Sequence, residues 1–181
     1  MSDPVSALNG ASFQGFATIR EIGPVGMIAL RAKGLKALDK AIQAAIGVKT
    51  PAQRRIEVNG DRACAWMSPD EYLLMLPYAE VAVALAKLSK SLAAEHYLAV
   101  DVSDARAVFR IEGDRAADVL RKLSPVDFDR LAPGEVRRTR AAQVAAALWN
   151  QDQGFTLVCF RSVAAYVMGL LTHSAQPGSE L

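Results

Sequence analysis

The spacing of apolar residues in this chain switches from two to three-or-four and back again, twice over. Phe16–Ile22 is strand-like and ends at a Gly23-Pro24 turn. In Ile28–Lys33, Ile28, Leu30 and Ala32 fall on one face and Arg31 and Lys33 on the other, the pattern of a half-buried strand. Leu35, Leu38, Ile42 and Ile46 then step by three or four, which predicts an amphipathic helix closed by Gly47 and stopped before Pro51. Arg54–Met67 contains a strand ending at Trp66, Ser68-Pro69-Asp70-Glu71 turns, and Tyr72–Leu76 returns. Val81, Leu85, Leu88 and Leu92 mark a second helix. The same order follows again. Strands are predicted at Leu98–Val102 and Ala107–Ile111, and a helix over Asp114–Leu123 broken at Ser124-Pro125. Arg137–Trp149 contains a strand, Phe155–Phe160 returns, and Val163, Val167 and Leu170 lie on a last helix with Ser162 as the expected N-cap.

This order is an internal duplication. Arg54 and Arg137, Arg55 and Arg138, Trp66 and Trp149, and Leu74 and Leu157 are all 83 positions apart. Nearer the start of each half, Arg31 and Arg110, Gly34 and Gly113, and Asp39 and Asp118 are 79 apart. The second copy therefore carries a net four-residue insertion, placed within Ser124–Pro133. The expectation is an α+β fold of two β-β-α-β-β-α modules with helices covering the sheets. Residues 16–173 form one duplicated domain, with repeats at about 16–92 and 97–173. Residues 1–15 read as a loose or docked arm and 174–181 as a frayed tail.

Composition narrows the class. The 181 residues are 51% hydrophobic and 22% charged, which excludes a disordered chain. A net charge of +2 implies no strongly basic face, so neither nucleic acid nor membrane is expected as a partner. Met1-Ser2-Asp3-Pro4 has no secretory character, and apolar stretches such as Val144–Trp149 fall far short of the ~20 residues of a membrane span. Cys64 and Cys159 form no Cys-x-x-Cys and read as buried thiols. A soluble cytoplasmic protein is expected.

Candidate chemistry is sparse. The two histidines, His96 and His173, belong to no cluster with metal-ligand spacing. Gly23-Pro24-Val25-Gly26 lies between strands and cannot present helix amides to a phosphate. Asp101 and Asp104 flank Ser103, either as an acid–base pair or as carboxylates that satisfy turn amides. Two arginine clusters, Arg54-Arg55 and Arg137-Arg138-Thr139-Arg140, precede the third strand of their repeats. They suit solvated strand-entry charge, an anchor at a protein interface, or an anion clamp. Trp66 and Trp149 end apolar strands, as core or as interface anchors. The candidate interface set is thus Arg54, Arg55, Trp66, Arg137, Arg138, Arg140 and Trp149, with no catalytic, cofactor or metal residue expected.

From Val100 on, Asp101-Val102-Ser103, Phe109-Arg110-Ile111-Glu112-Gly113-Asp114 and the Pro125-Val126-Asp127 stretch resemble the folate-binding domain of aminomethyltransferases. With Trp66–Leu74, Ser124–Asp127 and Arg138-Thr139-Arg140 added, the chain is similar to the gamma-subunit branch of heterotetrameric sarcosine oxidases, over roughly residues 16–173. That resemblance implies a complex that oxidises sarcosine to glycine, passes the methyl carbon to tetrahydrofolate or releases it as formaldehyde, and reduces oxygen to hydrogen peroxide. It implies alpha, beta and delta subunits as partners. FAD, FMN, NAD, tetrahydrofolate and zinc would reside on those partners and none on this chain. Where the transferases carry a Gly-Gly-x-x-Asp-Asp stretch, this chain has Ala145-Ala146-Ala147-Leu148-Trp149-Asn150, with no carboxylate to handle a proton. The resemblance therefore implies a packing and assembly role. A free-standing folate-binding aminomethyltransferase-like protein and a small-anion-binding module are the alternatives.

Overall fold

The computed structural model describes residues 3–181. Its strands form two antiparallel sheets, and four α-helices pack on them. The chain divides into two compact units. A continuous unit spans Val25–Ser103, and a discontinuous one joins the chain up to Pro24 to Asp104–Leu181.

The continuous unit holds β3 (Val25–Ala32), α1 (Leu38–Ile46), β4 (Ile56–Asn59), β5 (Arg62–Ser68), β6 (Glu71–Pro77), α2 (Val81–Ser91) and β7 (Tyr97–Asp101). Its sheet runs β4-β5-β6-β3-β7. Ile28, Leu30, Cys64, Leu74 and Leu76 from the sheet meet Leu38, Ile42 and Ile46 of α1 and Val81, Ala84 and Leu88 of α2 in one buried cluster. The predicted Gly47 stop is present. Its φ of 70° is left-handed, and its N–H donates to the Gln43 carbonyl, closing the last turn. Asp101-Val102-Ser103 fastens β7 onto β3. Asp101 Oδ1 accepts from the Ser103 amide and hydroxyl at 2.9 and 2.6 Å, and Ser103 Oγ accepts from the Met27 amide at 2.9 Å.

The discontinuous unit holds β1 (Ser12–Gln14), β2 (Thr18–Ile22), β8 (Arg106–Glu112), α3 (Ala116–Arg121), β9 (Val136–Ala141), β10 (Val144–Gln151), β11 (Gly154–Phe160) and α4 (Ala164–Ser174). Its sheet runs β1-β2-β8-β11-β10-β9. Ile19, Phe109, Ile111, Leu148 and Leu157 pack with Val119 and Leu120 of α3 and Val167 and Leu171 of α4. The expected insertion folds back onto this core, burying Phe128 and Leu131, with Phe128 edge-on to Phe155 at 5.5 Å.

Neither unit is one contiguous repeat. β2 opens the first repeat but pairs with β8 of the second, and β7 opens the second but pairs with β3 of the first. Each repeat gives its first strand to the other. On the β2–β8 pair, Arg20 stands directly opposite Arg110, an unfavourable like-charge pairing. Glu112 relieves it, accepting from Arg20 at 2.7 Å and lying 3.6 Å from Arg110.

Several expectations are refined or corrected. Each apolar stretch read as containing one strand is a hairpin, β4–β5 and β9–β10, so each repeat has a strand more than its β-β-α-β-β-α pattern. Ser162 does not cap the last helix. It lies in a 3-10 turn over Arg161–Val163, and the N-cap position is Val163. The tail is held, not frayed. Ser174 and Ala175 are buried, Lys122 Nζ donates to the Ser174 carbonyl at 2.8 Å and to Ser179, and Arg115 reaches the Leu181 carbonyl. The N-terminal arm is docked. It supplies β1, and the buried Glu21 carboxylate accepts from Ser6 Oγ and the Gly10 amide, both at 2.8 Å, and from the Leu8 amide.

Two outcomes follow. Residues 25–103, which keep all five strands of their sheet, will unfold cooperatively on heating, whereas 16–92, with an orphan β2 and no β7, will show no sharp transition by circular dichroism. Glu21→Ala in the full chain will take the acceptor from the half-buried Ser6 and Leu8 donors and the exposed Gly10 amide, costing about 1 kcal/mol of stability in urea melts, and will open residues 5–12 to protease.

Candidate functional site

The two arginine clusters sit at comparable places in their units. Arg137, Arg138 and Arg140 lie on β9, the edge strand of the six-stranded sheet. Arg138 and Arg140 are exposed and Arg137 is half-buried, 2.8 Å from Glu135. The Arg140 carbonyl accepts from Ser124 Oγ at 2.6 Å, which ties the insertion to the strand. Arg54 and Arg55 lead into β4, the edge of the five-stranded sheet. Both are half-buried, and Arg54 adopts a left-handed φ of 60°. The Arg55 carbonyl accepts from the Trp66 amide at 3.0 Å. Edge strands carrying exposed guanidiniums resist pairing with other strands and present forks suited to carboxylates.

The tryptophans are not equivalent, although 83 positions separate them. Trp66 pairs with Tyr72 on β6, whereas Trp149 pairs with Thr156 on β11. A bulge between Trp66 and Ser68 in the first repeat, absent from the second, shifts the register by one. A one-residue shift turns a side chain to the other face. By pairing, Trp149 takes the place of Ala65, and Trp66 that of Asn150. Trp66 is half-buried, while Trp149 is 1% exposed with Nε1 donating to Gln151 Oε1 at 3.2 Å. Its enclosure removes Trp149 from the surface candidates.

The discontinuous unit contains a cleft of about 790 Å³, lined in part by Arg115, Asp118, Arg121, Asp129, Asn150 and Phe155. Asp118 is a buried charge in it, 5% exposed. Burial pushes its carboxyl up, but Arg115 at 2.6 Å and Arg121 at 2.7 Å outweigh that and hold it below the ordinary aspartate range. Arg121 also reaches Asp129. A carboxylate fixed between two guanidiniums is a weak base, so the cleft lacks a ready proton acceptor at Asp118. The helical spacing Arg115-Asp118-Arg121 is the sequence signal that could have found this triad. Of the Ala145–Asn150 stretch, only Asn150 lines the cleft.

The remaining candidates stay apart. His96 and His173 are exposed, and His173 lies in the last turn of α4 as expected. Asp101 is spent on Ser103. Burial pushes the Cys64 thiol far up and raises Cys159 to about 11, so neither is a thiolate nucleophile at neutral pH. Among the described residues, no group of three or more His, Cys, Asp or Glu side chains is placed to hold a metal ion. No described helix is long and apolar enough to cross a membrane.

The model of the sarcosine oxidase, gamma subunit family matches residues 32–176. The sarcosine oxidase subunit gamma of Corynebacterium sp. (strain U-96) is 36% identical over 144 residues, 75% of this chain and 67% of that protein. A chain of the heterotetrameric sarcosine oxidase from Corynebacterium sp. U-96, solved in complex with pyrrole 2-carboxylate, superposes with a TM-score of 0.79 at 28% identity, over 88% of this chain and 83% of that one. The glycine cleavage system aminomethyltransferase T from Bartonella henselae shares the fold, with a TM-score of 0.63 at 14% identity, over 87% of this chain and 45% of that one.

The triad gives a signed pH dependence. Asp118 has a lower pKa folded than unfolded, so its contribution is present above about pH 4 and is lost as pH falls through the folded value. Asp118→Asn will lower stability at pH 7 by about 2 kcal/mol and flatten the acid limb of stability against pH, measured by urea melts from pH 7 to pH 3.

Proposed function

The chain belongs to the sarcosine oxidase gamma subunit family, and on that premise we propose that it is the non-catalytic packing and assembly subunit of a heterotetrameric sarcosine oxidase. The complex oxidises sarcosine to glycine, delivers the methyl carbon to tetrahydrofolate or releases it as formaldehyde, and passes the electrons to oxygen as hydrogen peroxide. Alpha, beta and delta subunits are the partners, and they carry FAD, FMN, NAD, tetrahydrofolate and zinc. The assembly is cytoplasmic.

The observation that carries the reading is the fate of the stretch that bears carboxylates in the transferases. Here Ala146, Ala147, Leu148 and Trp149 are buried in β10, and Asn150 supplies an amide that does not ionise near neutral pH. The nearby Asp118 is neutralised by arginines. What this chain offers in place of proton chemistry is surface. Arg54, Arg55, Arg137, Arg138 and Arg140, with the half-buried Trp66, are the residue types that anchor interfaces.

Co-expressed with the other subunits, the tagged full chain will co-elute with yellow, flavin-absorbing protein and sarcosine-dependent peroxide production. Alone it will be colourless and will bind tetrahydrofolate no tighter than millimolar by calorimetry. Arg138→Ala will weaken the assembly by about 2 kcal/mol if the guanidinium is buried against a partner. A chain that never shares a peak with flavoprotein refutes the proposal, and micromolar folate binding by the isolated chain favours the transferase alternative.

A further inference from the structure

The two sheets present four edges, and three are blunted. β1 has three residues, β4 has four and carries Glu57, and β9 carries Arg138 and Arg140. The fourth is β7, hydrogen-bonded to β3 on one side only. Its Leu98 is 54% exposed and its Val100 43%. Both project from the same face, opposite Arg31 and Ala29 of β3. Natural sheets rarely leave such an edge uncovered, because a free row of amides and carbonyls beside apolar side chains pairs with any extended chain.

Charge selects the occupant. A cleft of about 510 Å³ at the Leu98 end of β7 is lined by Arg31, Lys33 and His96, with Leu35, Tyr97 and Leu98 as apolar wall. Asp70 also lines it, and the hydrogen bond it accepts from Ser68 Oγ at 2.7 Å leaves its negative charge in place beside Arg31 and Lys33. Arg31 only brushes Glu71, at 3.4 Å, and its side chain stays 58% exposed. Two fixed cations thus face one carboxylate, a net positive wall beside an apolar strand.

We propose that β7 receives an extended segment of another subunit as a sixth strand. That segment is apolar at alternate positions, to cover Leu98 and Val100, and carries a carboxylate at the end that meets Arg31 and Lys33. Backbone pairing supplies affinity, and the apolar spacing with the terminal carboxylate supplies register. This rests on the assembly role above and names a surface for it that lies outside the arginine clusters.

Hydrogen exchange tests it on the full chain, alone and in the co-expressed assembly. Amides of residues 97–101 should exchange roughly tenfold or more slowly in the assembly than in the free chain. A Leu98→Glu, Val100→Lys double variant should keep the melting temperature of the parent and weaken the assembly roughly 30-fold or more, because it blunts the edge and repels the carboxylate. Unchanged exchange at 97–101 in an assembly that forms overturns this proposal and leaves the assembly role standing. Protection of 97–101 in the isolated chain that disappears on dilution makes a second copy the occupant and overturns it too. An assembly that never forms overturns both.

Discussion

An extended strand carries donors and acceptors along both edges, and leaving them unpaired inside a sheet costs more than most side-chain contacts return. In this chain that requirement is met by exchange. β8 would have only β11 beside it without β2, and β3 would have only β6 without β7. The chain therefore passes from one unit to the other after Pro24 and returns after Ser103. Other features serve this exchange. Glu112 compensates the Arg20–Arg110 opposition that the β2–β8 pairing creates. The Asp101–Ser103–Met27 hydrogen bonds fix β7 against β3 at the point of return. Glu21, on the exchanged β2, then anchors the N-terminal arm.

Exchange also explains what was legible in the sequence. Periodicity reports which face of a strand or helix is apolar, and that is a local property. Hence α1 with its Gly47 stop, α2, and the strands of both repeats other than β4 and β9 could be placed from spacing alone. Periodicity says nothing of which strand is the neighbour. Contiguous repeats were the simplest reading, and the pairing of β2 with β8 is invisible to it. The hairpins β4–β5 and β9–β10 were hidden for a related reason. Their turns, at Gly60-Asp61 and Ala142-Gln143, are short, and the apolar runs beyond them dominate the window.

The candidate site shows the same limit at finer scale. Offset arithmetic equated Trp66 with Trp149, yet one bulged residue places them on different faces, one half-buried and the other enclosed. Identity at a fixed offset is evidence for common sequence and is silent on register, which a single residue reverses. The arm was left open between loose and docked, and the held tail was missed, because their anchors, Glu21 and Lys122, are charged residues that would ordinarily face water. The triad around Asp118 was open to reading, since three charges at helical spacing are a local signal.

The absence of carboxylates from β10 and the character of the edges belong to one argument. A strand that must activate a substrate keeps polar groups aimed into a pocket, and burying them is expensive unless each is satisfied. Alanines and leucine at 145–148 carry no such cost, and they let β10 pack as an ordinary sheet strand with Trp149 enclosed. With its interior released from polar demands, the chain varies at its margins. β9 turns arginines outward, where strand pairing is resisted and carboxylates are welcomed. β7 keeps Leu98 and Val100 outward, where strand pairing is favoured. A monomer acting alone would need both edges guarded. One guarded and one open is the arrangement expected of a chain whose remaining strand neighbour is supplied by another polypeptide.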